Sequence, residues 1–486
     1  MQKKLSECIK NIKIVEKRGN VDPFVGDIVF DSRSIVPHSV FVAVRGTRMD
    51  GHAFVQDAIA AGAIAVVCEE FPDGNHPNVA IIKVENSQDA LAQMAGNFYD
   101  HPSAQLNLVG VTGTNGKTTI ATLLYNVARL LGYKAGLCST MGNFINDQEL
   151  ETTHTTPDVL TLNKLMREMV EAGCEYCFME VSSHAVHQKR ITGLEFRGGI
   201  FSNISHDHLD YHKTFDEYIR VKKQFFDNLP ETAFALVNID DKQGRVMLQN
   251  TKASRKTYSL REVATYRARI MEGLFEGMQL SIEGQEFWTP FVGRFSAYNL
   301  LAVYGTGREL GWASRELLLA MSRLKPVGGR FEIIRSANGI TGVVDYAHTP
   351  DAIKNVLQAI NDIRRPEQTL ITVVGAGGNR DAKKRPIMAA EAVKNSSKVI
   401  FTSDNPRDEE PQSIIDQMLE GVSFAERIKI LTITDRREAI RTACTIAKPG
   451  DIVLVTGKGH ETYQEVKGKK WHFDDREIIK EFFEQQ

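Results

Sequence analysis

Residues 106–132 read "LNLVGVTGTNGKTTIATLLYNVARLLG", an apolar run, a glycine turn, then apolar positions recurring at helical spacing. A strand that turns through glycine into a helix aims the turn's N–H groups and the helix N-terminus at one point, where an anion binds. Gly113 and Gly116 allow the tight turn, Lys117 falls where it meets the β- and γ-phosphates of a nucleotide, and Thr118 falls where its hydroxyl reaches Mg²⁺. The eight-residue phosphate-loop pattern requires glycine at position 111, where this chain has Val111. The match is therefore to a shorter variant, Gly113-Thr114-Asn115-Gly116-Lys117-Thr118-Thr119. An ordinary strand-to-helix turn has no need of lysine and threonine at those positions.

Strand-like runs alternate with helical segments on both sides of this stretch: "AIAVVC", "VAIIKV", "YCFMEVS", "GGIFSNI", "FALVNI", "GVVDYA", "TLITVVGAG", "KVIFTS" and "DIVLVTG". That alternation predicts an α/β chain built on parallel sheets. At 486 residues the chain exceeds what one core supports, and three domains are expected. Pro- and Gly-containing joints at "FYDHPSAQLN" and "LKPVGGRFE" divide it into 1–104, 105–330 and 331–486.

A hydrophobic share of 42%, a charged share of 25% and a net charge of −2 describe a soluble globular protein. They argue against nucleic acid or an anionic membrane as partner, since both need a basic surface. The start, "MQKKLSECIKNIKIVEKRGN", lacks the apolar centre of a signal peptide, and "AIAAGAIAVVC" is too short to span a bilayer, so a cytoplasmic protein is expected. Six cysteines scattered from Cys8 to Cys444 make no disulfide framework. Cys174 and Cys177 have C-x-x-C spacing, but in a strand that offset points them to opposite faces, and packing is the expected role.

Downstream of the phosphate loop, "FMEVSSHAVHQKRITG" sets Glu180 at a strand end, where open sheets bind ligands. "FSNISHDHLDYHKTFDEYIRVKKQFF" follows, dense in His and Asp from His206 to His212. Such spacing would suit zinc, but beside a phosphate loop a Mg-nucleotide centre is the more economical reading.

Taken in order, "GVTGTNGKTT", "MEVSSHA", "NISHDHLDYH", "DYAHTPD" and "DNPR" resemble the Mur ligase family, which builds the peptide of bacterial cell-wall precursors. The resemblance implies an N-terminal α/β uridine-binding domain, a central mononucleotide-binding parallel sheet with the phosphate loop, and a C-terminal Rossmann-like domain. It implies an ATP-dependent amide ligase that adds meso-diaminopimelate to UDP-N-acetylmuramoyl-L-Ala-D-Glu through an acyl phosphate, acting as a monomer. By the same resemblance Lys117 holds the phosphates, Thr118 and Glu180 take one Mg²⁺, and His208 takes a second together with a CO₂-derived carbamate on Lys222. Lys223 is adjacent, and on a helix only one of the two can face the site. Family positions lining the ATP site match Asn299, Arg330, Asp345 and His348. Those gripping the UDP-muramoyl dipeptide match Ser32, Thr47, Arg48, Thr155, Thr156, Ser182, Gln188 and Arg190. Gly328-Gly329 stands where the family more often has proline or another residue before "GR", which suggests a looser hinge into the third domain.

The third domain offers "GAGGNRDAKKRPIM", "SDNPRDEEP" and "TGKGHETYQ", each after an apolar run. Pro406 pushes Asn405 to an extended conformation and gives Arg407 a set direction, suited to a two-point contact with a carboxylate. The resemblance assigns Arg380, Asp404, Asn405, Pro406, Arg407, Gly457 and Glu461 to diaminopimelate, which differs from lysine by a carboxylate at its far end. A bland alternative is a helix start in which Arg407 pairs with Asp408, Glu409 or Glu410. At the level of function the alternatives are the same reaction with L-lysine, a folylpolyglutamate-type ligase, and a phosphate-loop switch NTPase.

Overall fold

The apolar runs become strands because each is too short and too β-branched for a buried helix, and each is covered by helices on one or both faces. The computed structural model describes residues 2–19, 21–46, 49–150 and 155–485. Three large sheets follow one another along the chain.

The first has five strands in the order Ile14–Arg18, Ala80–Val84, Ala65–Cys68, Ser39–Val42 and Asp27–Val29, parallel except for Ile14–Arg18. The helix Ser87–Phe98 packs on one face, burying Leu91, Met94 and Phe98.

The second has eleven strands. Its centre is Asn107–Thr112, flanked in parallel by Tyr176–Glu180 and Gly198–Phe201. Beyond these lie Ala135–Ser139 on one side and Phe234–Asn238 on the other, again parallel. The far edge turns antiparallel through Tyr266–Leu274, Gly277–Ile282 and Gln285–Thr289. The helix Lys117–Leu130 buries Ile120, Leu123, Leu124 and Val127 against one face, joined there by the helix Arg294–Glu309.

The third has six strands ordered Glu332–Arg335, Thr341–Asp345, Ile452–Thr456, Leu370–Ala376, Lys398–Ser403 and Ile430–Thr432, with only the first antiparallel to its neighbour. The helices Pro350–Ile363, Lys384–Asn395 and Pro411–Leu419 cover one face, and Arg436–Ile446 and Asp475–Glu484 the other. Within this second layer Arg436 and Asp475 form a fully buried two-point pair, Nε to Oδ1 at 2.9 Å and Nη2 to Oδ2 at 2.7 Å. Arg436 Nη2 also donates to the Thr456 carbonyl at 2.8 Å, so the pair ties down the strand end that precedes Gly457.

All six cysteines are buried and free. Cys177 lies in the strand Tyr176–Glu180, while Cys174 sits in the turn before it, so packing rather than a paired site accounts for both. Among the described residues no helix is long and apolar enough to cross a membrane.

Candidate active site

The carboxyl ends of the central and third sheets face each other, and the candidate residues gather between them. Gly113 has φ 149° and Gly116 φ 89°. A Cβ on Gly113 would lie 2.0 Å from Ser202 Oγ, and one on Gly116 would lie 2.7 Å from Asn299 Oδ1, so both positions require glycine. Lys117 opens the following helix. Its Nζ donates to the carbonyls of Gly113, at 2.9 Å, and Thr114, at 2.8 Å.

Lys222 reaches the same oxygen from the helix Phe215–Asp227. It is 1% exposed, and its Nζ donates to Gly113 O at 2.9 Å and Thr112 Oγ1 at 3.4 Å. Neither ammonium forms an ion pair with a carboxylate among the described residues. Loss of hydration pushes both pKa values down, Lys222 well below the ordinary 10.5, with Lys117 adding repulsion. Lys223, by contrast, points away and pairs with Asp227 one turn on.

Around this pair stand the other donors. Glu180, 1% exposed, accepts from Thr140 N–H at 2.8 Å and Thr140 Oγ1 at 3.0 Å through the same oxygen. His208 has φ 54° and lies 3.4 Å from Asp207. Its ring keeps 38% of its side-chain surface open, facing the cavity. Poor solvation pushes the imidazole below its ordinary 6.5, while Asp207, against its own burial, is held below the usual carboxylate range by the basic groups around it, Lys384 and Lys117 among them. At neutral pH the pair is a carboxylate beside a neutral ring, the form in which histidine ligates metal. Among the described residues no group of three or more His, Cys, Asp or Glu makes a ready metal cage. A sparse set of one hydroxyl, one carboxylate and one imidazole beside a phosphate loop fits Mg²⁺, which keeps waters and takes phosphate oxygens as ligands.

Two cavities meet at the phosphate loop. One, of about 520 Å³, is lined by Asn115, Gly116, Thr119, Asn299, Arg330, Asp345 and His348, together with Phe295 and Tyr298. The other, of about 600 Å³, is lined by Lys117, Thr118, Thr155, Thr156, Glu180, Ser182, Arg190, His208 and Lys222 on one wall. Arg380, Asp404, Asn405, Arg407, Gly457 and Glu461 form its opposite wall. Contacts across the cleft hold the walls together: His206 to Asp381 at 3.1 Å, Asn115 Nδ2 to Asp351 at 3.2 Å, and Lys384 to Asp207 at 3.9 Å.

Several expected residues turn out to act on the backbone. Asp345 accepts from the N–H groups of Phe331 and Ala347, both at 2.7 Å, and fixes Phe331 at φ 49°. Thr156 is 1% exposed, with its hydroxyl donated to the Glu180 carbonyl at 2.8 Å. Ser182 caps the short helix Ser183–His187, and Gln188 is held by Arg190. Gly329 packs so closely that a Cβ would lie 2.1 Å from His460 N, so this glycine marks tight packing, while a Cβ on Gly328 would meet nothing nearer than 3.5 Å. Asn405 is 3% exposed with both ends of its amide engaged: Oδ1 accepts from Lys458 Nζ at 3.0 Å and Glu465 N at 2.9 Å, and Nδ2 donates to Glu461 at 2.8 Å. Pro406 meets Gly378, whose Cβ would lie 1.8 Å from the Pro406 carbonyl.

Arg407 does not pair with the acids that follow it. Glu409 makes a two-point pair with Arg385, both contacts at 2.8 Å, and Asp408 takes Asn379. The helix does start at Pro411, with Glu410 at its cap. Ser32 lies apart from the main cleft, in a further cavity of about 520 Å³ with Phe30, Met49, Gln188 and Arg190. Arg190 lines both that cavity and the phosphate cavity. Thr47 and Arg48 lie outside the described residues. Asp207, Lys384, Tyr346, Lys458 and Glu465 were not singled out by the sequence as site residues. Asp207, Lys384, Tyr346 and Lys458 lie inside runs quoted from the sequence, and Glu465 lies outside all of them.

Comparison with known proteins gives three consecutive matches: the Mur ligase family catalytic domain at residues 26–99, the Mur ligase middle domain at 111–307, and the Mur ligase glutamate ligase domain at 329–459. The chain belongs to the Mur ligase family. It is 56% identical over 480 residues to a Phocaeicola vulgatus protein named UDP-N-acetylmuramoyl-L-alanyl-D-glutamate–2,6-diaminopimelate ligase, covering 99% of both chains. A Cytophaga hutchinsonii protein of the same name is 54% identical, again over 99% of both. A solved structure of a ligase so named superposes with a TM-score of 0.70 at 31% identity, covering 100% of this chain and 99% of the other. As a Mur ligase the chain thus carries its three sheets in the family's order, with the candidate residues at the facing ends of the second and third.

Beside Lys222 lies His212, 1% exposed, with neither ring nitrogen hydrogen-bonded among the described residues. It packs among His184, His187, Tyr211 and Tyr218. Burial, with His184, His187 and Lys222 nearby, pushes its imidazole down to about 4 from the ordinary 6.5. The unfolded chain takes up this proton as pH falls through 6.5 and the folded chain only near 4, so stability is lost between those values and unaffected above them. His212→Phe, of similar size and without a titrating nitrogen, is expected to flatten the fall of Tm across that window. Parallel Tm–pH profiles for the two proteins would contradict this assignment.

Proposed function

We propose that the chain is an ATP-dependent amide ligase that joins meso-diaminopimelate to UDP-N-acetylmuramoyl-L-Ala-D-Glu. The observation that carries this reading is a single cavity with Lys117, Glu180 and Lys222 on one wall and Arg380, Arg407 and Glu461 on the other. A phosphoryl acceptor and an incoming amino acid can meet there, beside the phosphate loop. A switch NTPase has no use for the second wall, and a folylpolyglutamate-type ligase has none for a uridine-binding unit at residues 1–104.

In the proposed division of labour, residues 1–104 hold the uridine end with Ser32, Thr47 and Arg48, residues 105–330 hold ATP and the muramoyl dipeptide, and residues 331–486 hold the amino acid. The D-glutamate side-chain carboxylate attacks the γ-phosphorus and ADP leaves. The amine of diaminopimelate then attacks the acyl carbon, and phosphate departs with the former carboxylate oxygen. Lys117 and the loop N–H groups meet charge on the transferring group, which is where phosphoryl transfer needs it. Thr118 and Glu180 would hold one Mg²⁺ and His208, with a carbamate on Lys222, a second, and the ions would supply further neutralisation of the phosphates. Lys222, buried with neutral acceptors only, suits a carbamate: a neutral amine adds CO₂ and releases a proton, turning an unpaired cation into an oxygen ligand. Asn299, Arg330 and His348 face the nucleotide. The reading extends to a monomer working in the cytoplasm, where ATP is available, and the six free cysteines agree with it.

Phosphate release tests the proposal, measured with ATP, Mg²⁺ and UDP-muramoyl-L-Ala-D-Glu in the presence of meso-diaminopimelate, L-lysine or no amino acid. Release that requires diaminopimelate is expected; release with lysine alone would overturn the specificity, and release without any amine would favour an NTPase. Lys222→Ala is expected to lose activity by at least about a hundredfold and to regain part of it with added acetate, as a displaced carboxylate ligand would allow. Full activity in the unsupplemented variant would remove Lys222 from the mechanism.

A further inference from the structure

Arg407 takes its direction from a hairpin that carries no recognisable motif. The strands Tyr463–Val466 and Lys469–His472 pair antiparallel, and the first lies along the loop 404–407. Arg407 N–H donates to the Glu465 carbonyl at 3.1 Å, Lys467 N–H donates to the Arg407 carbonyl at 2.7 Å, and Arg407 and Val466 form one bridge of a parallel ladder. Gln464 Nε2 donates to the Asp404 carbonyl at 2.7 Å, and Glu465 N–H donates to Asn405 Oδ1 at 2.9 Å. Arg407 itself sits at φ 52°, a conformation that a long side chain adopts only when its surroundings impose it.

The guanidinium is fastened on one side. Glu465 Oε2 lies 3.3 Å from Nε, and the Gly378 carbonyl accepts from Nη1 at 2.7 Å. Nη2 has no hydrogen-bond partner among the described residues. Arg407 lines the cavity and Glu465 does not, so Glu465 holds the guanidinium from outside the cavity lining and leaves Nη2 uncommitted among the described residues. A flexible four-bond stem would otherwise have to be ordered when the ligand arrives, and a two-point contact tolerates little misdirection.

We infer that Glu465 is a positioning residue for amino-acid selection, holding the Arg407 guanidinium ready for the distal carboxylate of the incoming amino acid. The inference rests on the reading that Arg407 receives that carboxylate. Removing Glu465 does not remove the amino-acid contact itself; it lets Arg407 wander. Discrimination falls because a mobile arginine gains less from a carboxylate and loses less when an analogue lacks one.

The test is steady-state kinetics of the wild type, Glu465→Ala and Glu465→Gln with meso-diaminopimelate and L-lysine, at saturating ATP and UDP-dipeptide. The Glu465 side chain is partly exposed and the hairpin's backbone pairing does not use it, so both variants are expected to fold. Glu465→Ala is expected to raise KM for meso-diaminopimelate about tenfold and to narrow the preference over lysine by a similar factor, with KM for ATP little changed. Glu465→Gln, which keeps an acceptor oxygen in place, is expected to recover most of the loss. An unchanged KM and preference in Glu465→Ala overturns the inference. So does an equal rise in KM for ATP and amino acid accompanied by a lower Tm, which is the mark of a purely structural staple. A wild type that releases no phosphate with diaminopimelate overturns the underlying reading instead, and the inference with it.

Discussion

Two lysine ammonium groups converge on one carbonyl oxygen, that of Gly113, with no carboxylate paired to either among the described residues. Like charges gathered out of water on a neutral acceptor are unfavourable unless an anion joins them. The glycine turn that exposes this carbonyl, the strand that delivers it and the helix that carries Lys222 all converge here: Lys117 and the loop N–H groups make a preformed hole for negative charge, while Lys222, on the reading proposed above, meets its anion as a carbamate. Such a hole accelerates a reaction only where the charge is mobile, as it is when a phosphoryl group passes between two oxygens.

The second wall complements the first. Its lining carries both signs of charge, Asp404 and Glu461 with Arg380 and Arg407, while Lys458 pairs with Glu461 and Glu465 with Arg407 from outside the lining. Burial and the neighbouring Asp404 raise the Glu461 pKa above its ordinary value, while Lys458 and Asn405 oppose the shift. A zwitterionic end of an amino acid, carrying one charge of each sign, matches such a wall better than a simple anion or cation would. The buried Arg436–Asp475 pair beneath it keeps the strand end before Gly457 fixed, and Gly457 itself leaves room for Asp404, whose Oδ2 lies where a Cβ would otherwise fall, at 2.2 Å.

The parallel strands were legible because burial on both faces writes itself as short uninterrupted apolar runs; each run quoted from the sequence is a strand in the structure. The antiparallel edge from Tyr266 to Thr289 was not, because its outer residues are exposed and polar, as in "YRARI", and period-two alternation over an edge resembles a loop. At the site, residues inside glycine-marked turns were readable, since a phosphate loop constrains type and spacing together. Lys458 and Glu465 were not: each works by touching another side chain across a long sequence interval, and such pairings leave no periodicity. Local reading also left Arg407 with two possible sets of partners, and only the third dimension separates Glu465 from the adjacent acids, which are occupied by Arg385 and Asn379.

The claim that unites these features is that the cavity activates a carboxylate by phosphorylating it, so that the oxygen lost from the substrate leaves on phosphate. The most direct measurement places ¹⁸O in the D-glutamate side-chain carboxylate of the UDP-dipeptide and analyses the phosphate released during turnover with meso-diaminopimelate. The account predicts one ¹⁸O in each phosphate formed. Unlabelled phosphate would mean that water attacks ATP directly, and would contradict it.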